Sequence, residues 1–234
     1  MTKDSKTEGG IEIFESPEAL QEQLTRTEQF AKTNQKLLIG AGIGILLLVG
    51  GVLFFQFNRE QQNTEAQVQL FPAQFLFEQD SLKRAVIGNG NTTIGLEAIT
   101  KDYSGTKAAN LAQFYLGVAR LKEGKYDEAI DALEDFDAGD YLVQARAYSL
   151  IGDAYMEKND VENAVKYYQQ AVSHYPNEQF TTAYMLKLAL AYELKKDLNG
   201  AANVYKQLAA DFPESIEVAN ALKNQARLEQ MMAK

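Results

Sequence analysis

From Leu37 to Phe55 the chain reads LLIGAGIGILLLVGGVLFF, 19 residues without a charged or polar side chain. As a helix, at about 1.5 Å per residue, this run spans roughly 28 Å, close to the hydrocarbon core of a bilayer. A soluble helix of that length shows a polar face, and none is visible here. A cleaved signal peptide is the competing reading. Its apolar stretch is shorter, sits nearer the start and ends at small residues. Here 36 residues precede the run and Gln56-Phe57-Asn58-Arg59 follows it. The pattern predicts an uncleaved transmembrane helix over residues 37–57. Arg26, Lys32 and Lys36 lie before it, while Arg59 stands alone after it until Lys83 and Arg84. By the positive-inside rule residues 1–36 stay in the cytoplasm and the rest is exported. Gly40, Gly44 and Gly51 fall on one side of this helix, a spacing at which a second helix can pack closely, although glycine is common in membrane helices anyway.

The flanks of the span differ in period. Residues 1–15 carry no helical or strand pattern. Ser16-Pro17-Glu18 is a good helix start, with a capping hydroxyl, a proline in the first turn and an acid near the positive end of the dipole. Ala19, Leu20, Leu24 and Ala31 make a weak stripe, so the tail 1–36 is expected to hold one short amphipathic helix leading towards the span. Beyond residue 58 the apolar period is 3.6 nearly throughout. Residues 60–86, with the aromatic run Leu70-Phe71-Pro72-Ala73-Gln74-Phe75-Leu76-Phe77, are predicted helical, with a kink at Pro72. Gly88-Asn89-Gly90-Asn91 is a turn, and Ile94–Tyr103 a further helix.

Three downstream segments align with one another, starting at Asn110, Ala145 and Thr182, so that the starts are 35 and 37 residues apart. Each reads as two antiparallel helices with a tight turn. In the second, the small residues Gly152, Ala164 and Ala171 sit where helices approach, and Tyr148, Ile151, Tyr155 and Tyr168 fill the volume around them. Asn159 lies in the turn, where it tolerates a left-handed backbone, and Pro176 ends the second helix. These residues resemble the 34-residue pattern of a tetratricopeptide repeat. The first unit keeps Leu116-Gly117, Gly124 and Ala129 but has Arg120 for the expected tyrosine and Tyr141 for the proline. The third keeps Leu188, Tyr192, Ala201, Tyr205 and Pro213, with Ala189 for the first glycine and Lys196 in the turn. The expected fold is all-α: a solenoid of helical hairpins with three recognisable repeats over 105–214, a helical N-terminal cap or degenerate repeat over 58–104, and a capping helix over 215–234. Ser215 is placed at the start of that last helix, with Ile216, Ala219, Leu222 and Ala226 on its packed face.

Composition narrows the chemistry. The chain of 234 residues has no cysteine, one histidine and a formal charge of −9. Thiolate metal sites and cysteine nucleophiles are excluded, and the acidic balance opposes binding to a phosphate backbone. There is no phosphate-cradling glycine motif. His174, near the end of a repeat helix, has no second imidazole to share a metal and no nucleophile elbow to serve. From Glu123 to Asp140 there are eight acids and only Lys125. They lack the calcium-loop pattern and read as a solvated helix face. No catalytic residue, no metal ligand and no cofactor are expected, and the chain is not expected to be an enzyme.

In the repeat family the first helix of each pair lines the inner face. The resemblance places Leu111, Phe114, Val118 and Leu121 there from the first unit. The second supplies Arg146, Ser149, Asp153 and Met156, and the third Ala183, Leu186, Leu190 and Glu193. Such a groove is apolar at both ends and polar in the middle, suited to an amphipathic helix or an extended apolar segment. Alternatively the 70–77 aromatic helix lies across Phe114 and Val118 and fills that end itself. The layout, a short tail, one span and a repeat domain, resembles YfgM-like ancillary subunits of the SecYEG translocon. The FPAQFLFEQDS stretch and Thr106-Lys-Ala-Ala-Asn-Leu-Ala are similar to anchored tetratricopeptide proteins of the Bacteroidota. The resemblance implies a single-pass protein of a bacterial inner membrane with its repeats in the periplasm. It implies protein partners, translocon subunits and chaperones among them, rather than nucleic acid or a small-molecule substrate. The alternatives are a scaffold for division or outer-membrane assembly, and a holdase that binds unfolded chains directly.

Overall fold

Helical periodicity is met by helices nearly everywhere. A computed structural model describes residues 17–90, 92–139 and 141–233. Within them run α1 (Pro17–Thr33), α2 (Gln35–Glu78), α3 (Leu82–Ile87), α4 (Leu96–Asp102), α5 (Lys107–Lys122), α6 (Tyr126–Glu134), α7 (Tyr141–Glu157), α8 (Val161–Ser173), α9 (Glu178–Leu194), α10 (Leu198–Asp211) and α11 (Val218–Met232). The one β-bridge among the described residues joins Gly88 to Ile94. The chain divides into two compact units, Met1–Asn58 and Arg59–Lys234.

In the first unit, Ser16 and the 1–15 segment lie outside the described residues. Only Asn34 interrupts the passage from α1 to α2, and its backbone still bonds Phe30 on one side and Leu38 on the other. One helix, α2, is long and apolar enough to cross a membrane, with a mean hydropathy of 2.6 over 18 residues, none of them buried. Gly40, Gly44 and Gly51 have open space where a Cβ would stand.

The second unit begins within α2, which runs through Pro72 without a break. The single helix expected over 60–86 is in fact two. Asp80 takes a left-handed backbone (φ 55°), and the Ser81 and Asp80 amides close back onto the Leu76 and Phe77 carbonyls. This double closure satisfies the end of α2 and turns the chain into α3. Leu70, Ala73 and Leu76 of α2 pack with Val86, Leu96 and Ile99 and with Ala108, Ala112 and Leu116 of α5. The buried Asn63 side chain accepts the Ala108 amide at 3.0 Å, fastening the start of α5.

The three hairpins α5–α6, α7–α8 and α9–α10 share one turn. Gly124, Asn159 and Lys196 all have positive φ, at 75°, 60° and 64°. After each, the next amide bonds the carbonyl five residues back, to Arg120, Tyr155 and Tyr192. Asp160 and Asp197 then cap the second helix by accepting from Asn163 and Gly200. Lys125 makes no such side-chain cap in the first hairpin. Helix pairs approach closely because their contacts are small. A Cβ on Gly152 would meet the Tyr168 ring at 2.6 Å, and one on Gly117 would meet Leu133 at 2.5 Å. The core therefore runs along the stack as successive clusters, with tyrosines and alanines of one repeat against the next.

The last helix differs from expectation in the face it buries. Ala221 and Leu228 are buried and Val218 packs against the third-repeat core. Ile216 is 91% exposed, and Ala219, Leu222 and Ala226 are exposed too. The helix begins at Val218, three residues beyond Ser215, and Ala221, too small to weigh in a hydropathy pattern, marks the contact with α10.

Candidate functional site

The first helices of neighbouring hairpins lie side by side, and the side chains projecting from them form the face on which the expected groove residues were placed. In α5, Leu111 stands partly exposed. Phe114 is half-buried, its ring 6.0 Å from Tyr115 and 5.2 Å from Phe136. Val118 is half-buried, and Leu121 is half-buried against the Ile130–Leu133–Phe136 cluster. Residues 70–77 do not lie over Phe114 and Val118. Leu70, Ala73 and Leu76 cover the Ala108–Ala112–Leu116 side of α5, and only Phe77 reaches round, edge-on to Tyr115 at 5.2 Å.

In α7 and α9 the polar positions are spoken for by one another. Ser149 is only 2% exposed. Lys187 of α9 reaches across to α7, donating from Nζ to Ser149 at 3.2 Å and to both Asp153 oxygens at 2.9 and 2.7 Å. The Tyr168 hydroxyl donates to Asp153 as well, at 2.7 Å. Burial first, and then the neighbouring Asp153 carboxylate, raise the Tyr168 phenol far above its ordinary range, so it stays a donor. Glu193 accepts from the Tyr205 hydroxyl at 3.0 Å and from Arg227 of α11 at 2.6 Å. Burial and that bond push the Tyr205 phenol up to about 12. Met156 and Leu186 are half-buried against the third-repeat core. That leaves Arg146, Ala183 and Leu190 (53%) exposed, the last beside Leu194 on the next turn. The face thus presents aliphatic positions at its ends and an Asp153–Lys187 pair at its centre.

Lys187 was missed by sequence reasoning, although a cation 34 residues after an acid is a signal that this repeat length brings the two together. Arg120 is the second such residue. It stands where the pattern expects tyrosine, its side chain is 7% exposed, and it pairs with Glu97 of α4, with Glu123 at 2.7 Å and with Glu128 of α6 at 2.9 Å. Burial opposes its charge, but the Glu123 bond and the Glu128 and Glu97 carboxylates outweigh it and raise its pKa. The acidic stretch is therefore more than a solvated face. Asp127 pairs with Lys158, and Glu134 accepts from the Tyr167 hydroxyl. Beside it opens a cleft of about 520 Å³ with Asn110, Gln113, Asp135 and Asp137 in its wall. Asn110 ties the 135–139 joint back to α5 by bonds in both directions with the Asp137 backbone. His174 caps the end of α8 with its ring edge-on to Tyr148 at 5.7 Å. Among the described residues no three His, Asp or Glu side chains are grouped to hold a metal.

Comparison with known proteins agrees with this geometry. Tetratricopeptide repeat family models match residues 84–142, 145–178 and 183–215, together just over half of the chain. No curated protein matches the sequence. Among solved structures, TPR-like repeats from a protein of Podosopora anserina assigned as a kinesin light chain superpose with a TM-score of 0.55 at 18% identity. The match covers 72% of this chain and 86% of that one. A second structure of those repeats gives the same score and identity and covers 87% of that chain. At this identity the likeness is one of fold. Helical hairpins of this length and turn geometry, stacked through small-on-large contacts and matched along 84–215, place the chain among the tetratricopeptide repeat proteins.

Proposed function

We propose that this chain is a protein-interaction scaffold built on its tetratricopeptide repeats, held in a bacterial inner membrane by residues 37–57 with its repeats on the exported side, and that it receives newly exported polypeptide beside the translocon and passes it to chaperones. The observation that carries the reading is α2, a single helix that is wholly apolar over Leu37–Phe55 and then becomes part of the repeat unit. A domain built on its own anchor stays within reach of whatever emerges from the membrane. The partner-contacting positions are the exposed aliphatics Leu111 and Leu190, with the Asp153–Lys187 pair between them fixing the register of a bound segment. Phe114, Val118, Leu121, Met156 and Leu186 support that face from below. Ser149 and Glu193 hold it in shape. No turnover is assigned to the chain, and its partners are polypeptides.

The test uses the full chain in native membranes, with a photoreactive residue at Leu111 or Leu190. Translocon subunits and exported chains in transit are the expected adducts, lost in Leu190→Glu. Adducts confined to division or outer-membrane assembly proteins would overturn the translocon reading and favour a scaffold for those machines.

A further inference from the structure

The part of α2 that belongs to the repeat unit has two faces. Ala66, Leu70, Ala73 and Leu76 are buried against α3–α5. On the other side Val68, Phe71 and Phe75 are 67, 71 and 54% exposed. They follow one another at spacings of three and four residues, the seam of a two-stranded coiled coil. The seam positions before them on the same helix are Gln61 and Thr64, and the one after is Glu78. The positions that flank such a seam are charged at first and then neutral: Glu60 and Glu65, then Gln67 and Pro72, then Gln74 and Gln79. In a parallel pair Glu60 would face Glu65 of the other helix, a repulsive contact, whereas Gln67 would face Pro72 and Gln74 would face Gln79.

We propose that Val68, Phe71 and Phe75 pair with the same residues of a second copy of this chain, in a parallel contact confined to residues 67–77. The proposal rests on the membrane anchoring above. Two chains anchored by the same span in one bilayer have parallel helices, so equal positions meet and the contact closes with two-fold symmetry. Charge favours a copy at this place and bounds it, because a chain of net charge −9 repels itself elsewhere, at Glu78 on the next seam position included, while residues 67–77 carry no charge. Area sets the condition under which pairing occurs. Three such side chains bury on the order of 300 Å² per copy, against about 800 Å² in a stable soluble interface. The contact is too small to hold free molecules together. Co-confinement in a membrane, which raises the effective concentration, makes it sufficient.

The chain has no cysteine, so single-cysteine variants report pairing without background. Full-length Val68→Cys, Phe71→Cys and Phe75→Cys are oxidised in membranes, with Gln62→Cys and Lys206→Cys as exposed controls. Expected are disulfide dimers at 68, 71 and 75 at least fivefold above both controls, and their loss as each oxidised sample is repeated after dilution of the protein with excess lipid before oxidation. Equal cross-linking at all five positions, or none, overturns the dimer, as do adducts at 71 and 75 to a chain of another mass. Alkaline carbonate extraction separates the two readings. A chain that stays in the membrane without dimers at 68, 71 and 75 removes the pairing alone, and a chain that is washed off removes the anchor and the pairing with it.

Discussion

Tyr168 fills the place where a Cβ on Gly152 would stand, its ring carbons at 2.6 Å and its hydroxyl held by Asp153. The ring cannot back away without losing that bond. Gly152→Ala is therefore expected to lower stability by about 1–3 kcal/mol, measured by urea titration, as overpacking does elsewhere. The equivalent third-repeat position already carries Ala189. At the hairpin turn the sign reverses. Lys196 holds a left-handed backbone that its side chain disfavours. Lys196→Gly relieves that strain, partly offset by a freer unfolded chain, and a gain of about 0.5–1 kcal/mol is expected in the same titration. Around Arg120 the balance is electrostatic. Burial raises the pKa of Glu123, but the bonds from Arg120 and Lys125 outweigh it and hold that carboxyl below its ordinary value of 4.5. A depressed carboxylate binds fewer protons folded than unfolded. Its contribution is complete above pH about 4.5 and is lost as pH falls through the depressed value. Glu123→Gln should flatten the acid side of the stability profile, and an unchanged slope would show that other carboxylates set it. Arg120→Met removes the cation shared by Glu97, Glu123 and Glu128 and leaves the part-buried Glu123 with Lys125 alone, and a cost of about 1–3 kcal/mol is expected.

At the scale of elements, what could be read from the chain was what repeats. Hairpin length, the small residues at Gly152, Ala164 and Ala171 and the turn at Asn159 are local and recur, so one good unit reveals the other two. The 60–86 segment was harder, because its break at Asp80 depends on a left-handed residue that is neither glycine nor asparagine. The buried side of α11 was misplaced because hydropathy favours Ile216 and Leu222 over Ala221, whereas close approach favours alanine. The expected groove was legible as a set of positions, not as a state. Ser149, Asp153 and Glu193 look like polar groups awaiting a ligand, yet their partners Lys187, Tyr168, Tyr205 and Arg227 come from other helices that only the stack brings near. The packing of α2 on α5 gives a prediction at this scale. A fragment beginning at residue 82 lacks Leu70, Ala73 and Leu76 and uncovers Leu96, Ala108 and Ala112. It should bind a hydrophobic dye strongly and aggregate, whereas a fragment beginning at residue 59 should do neither.

Across the whole repeat unit each hairpin packs on its chain neighbours, and the core consists of successive clusters rather than one centre. Stability in such a stack is a sum of hairpin and nearest-neighbour terms. A lesion at one end should therefore loosen that end first. Leu208 is fully buried in α10, within the cluster that joins the third repeat to α11. Leu208→Ala removes about 2–5 kcal/mol from that cluster. The loss falls on contacts among α8, α9, α10 and α11, with Tyr155 and Met156 of α7 at their edge, and α5 shares none of them. Amide hydrogen exchange of the variant should show protection falling steeply in α9–α11, modestly in α8, and hardly at all in α3–α5. Equal loss in every helix would mean that the unit opens as one cooperative block. Graded loss would mean that the Leu190 end of the inner face can loosen around a bound polypeptide while the Leu111 end, braced by α2 and the Arg120 cluster, stays formed.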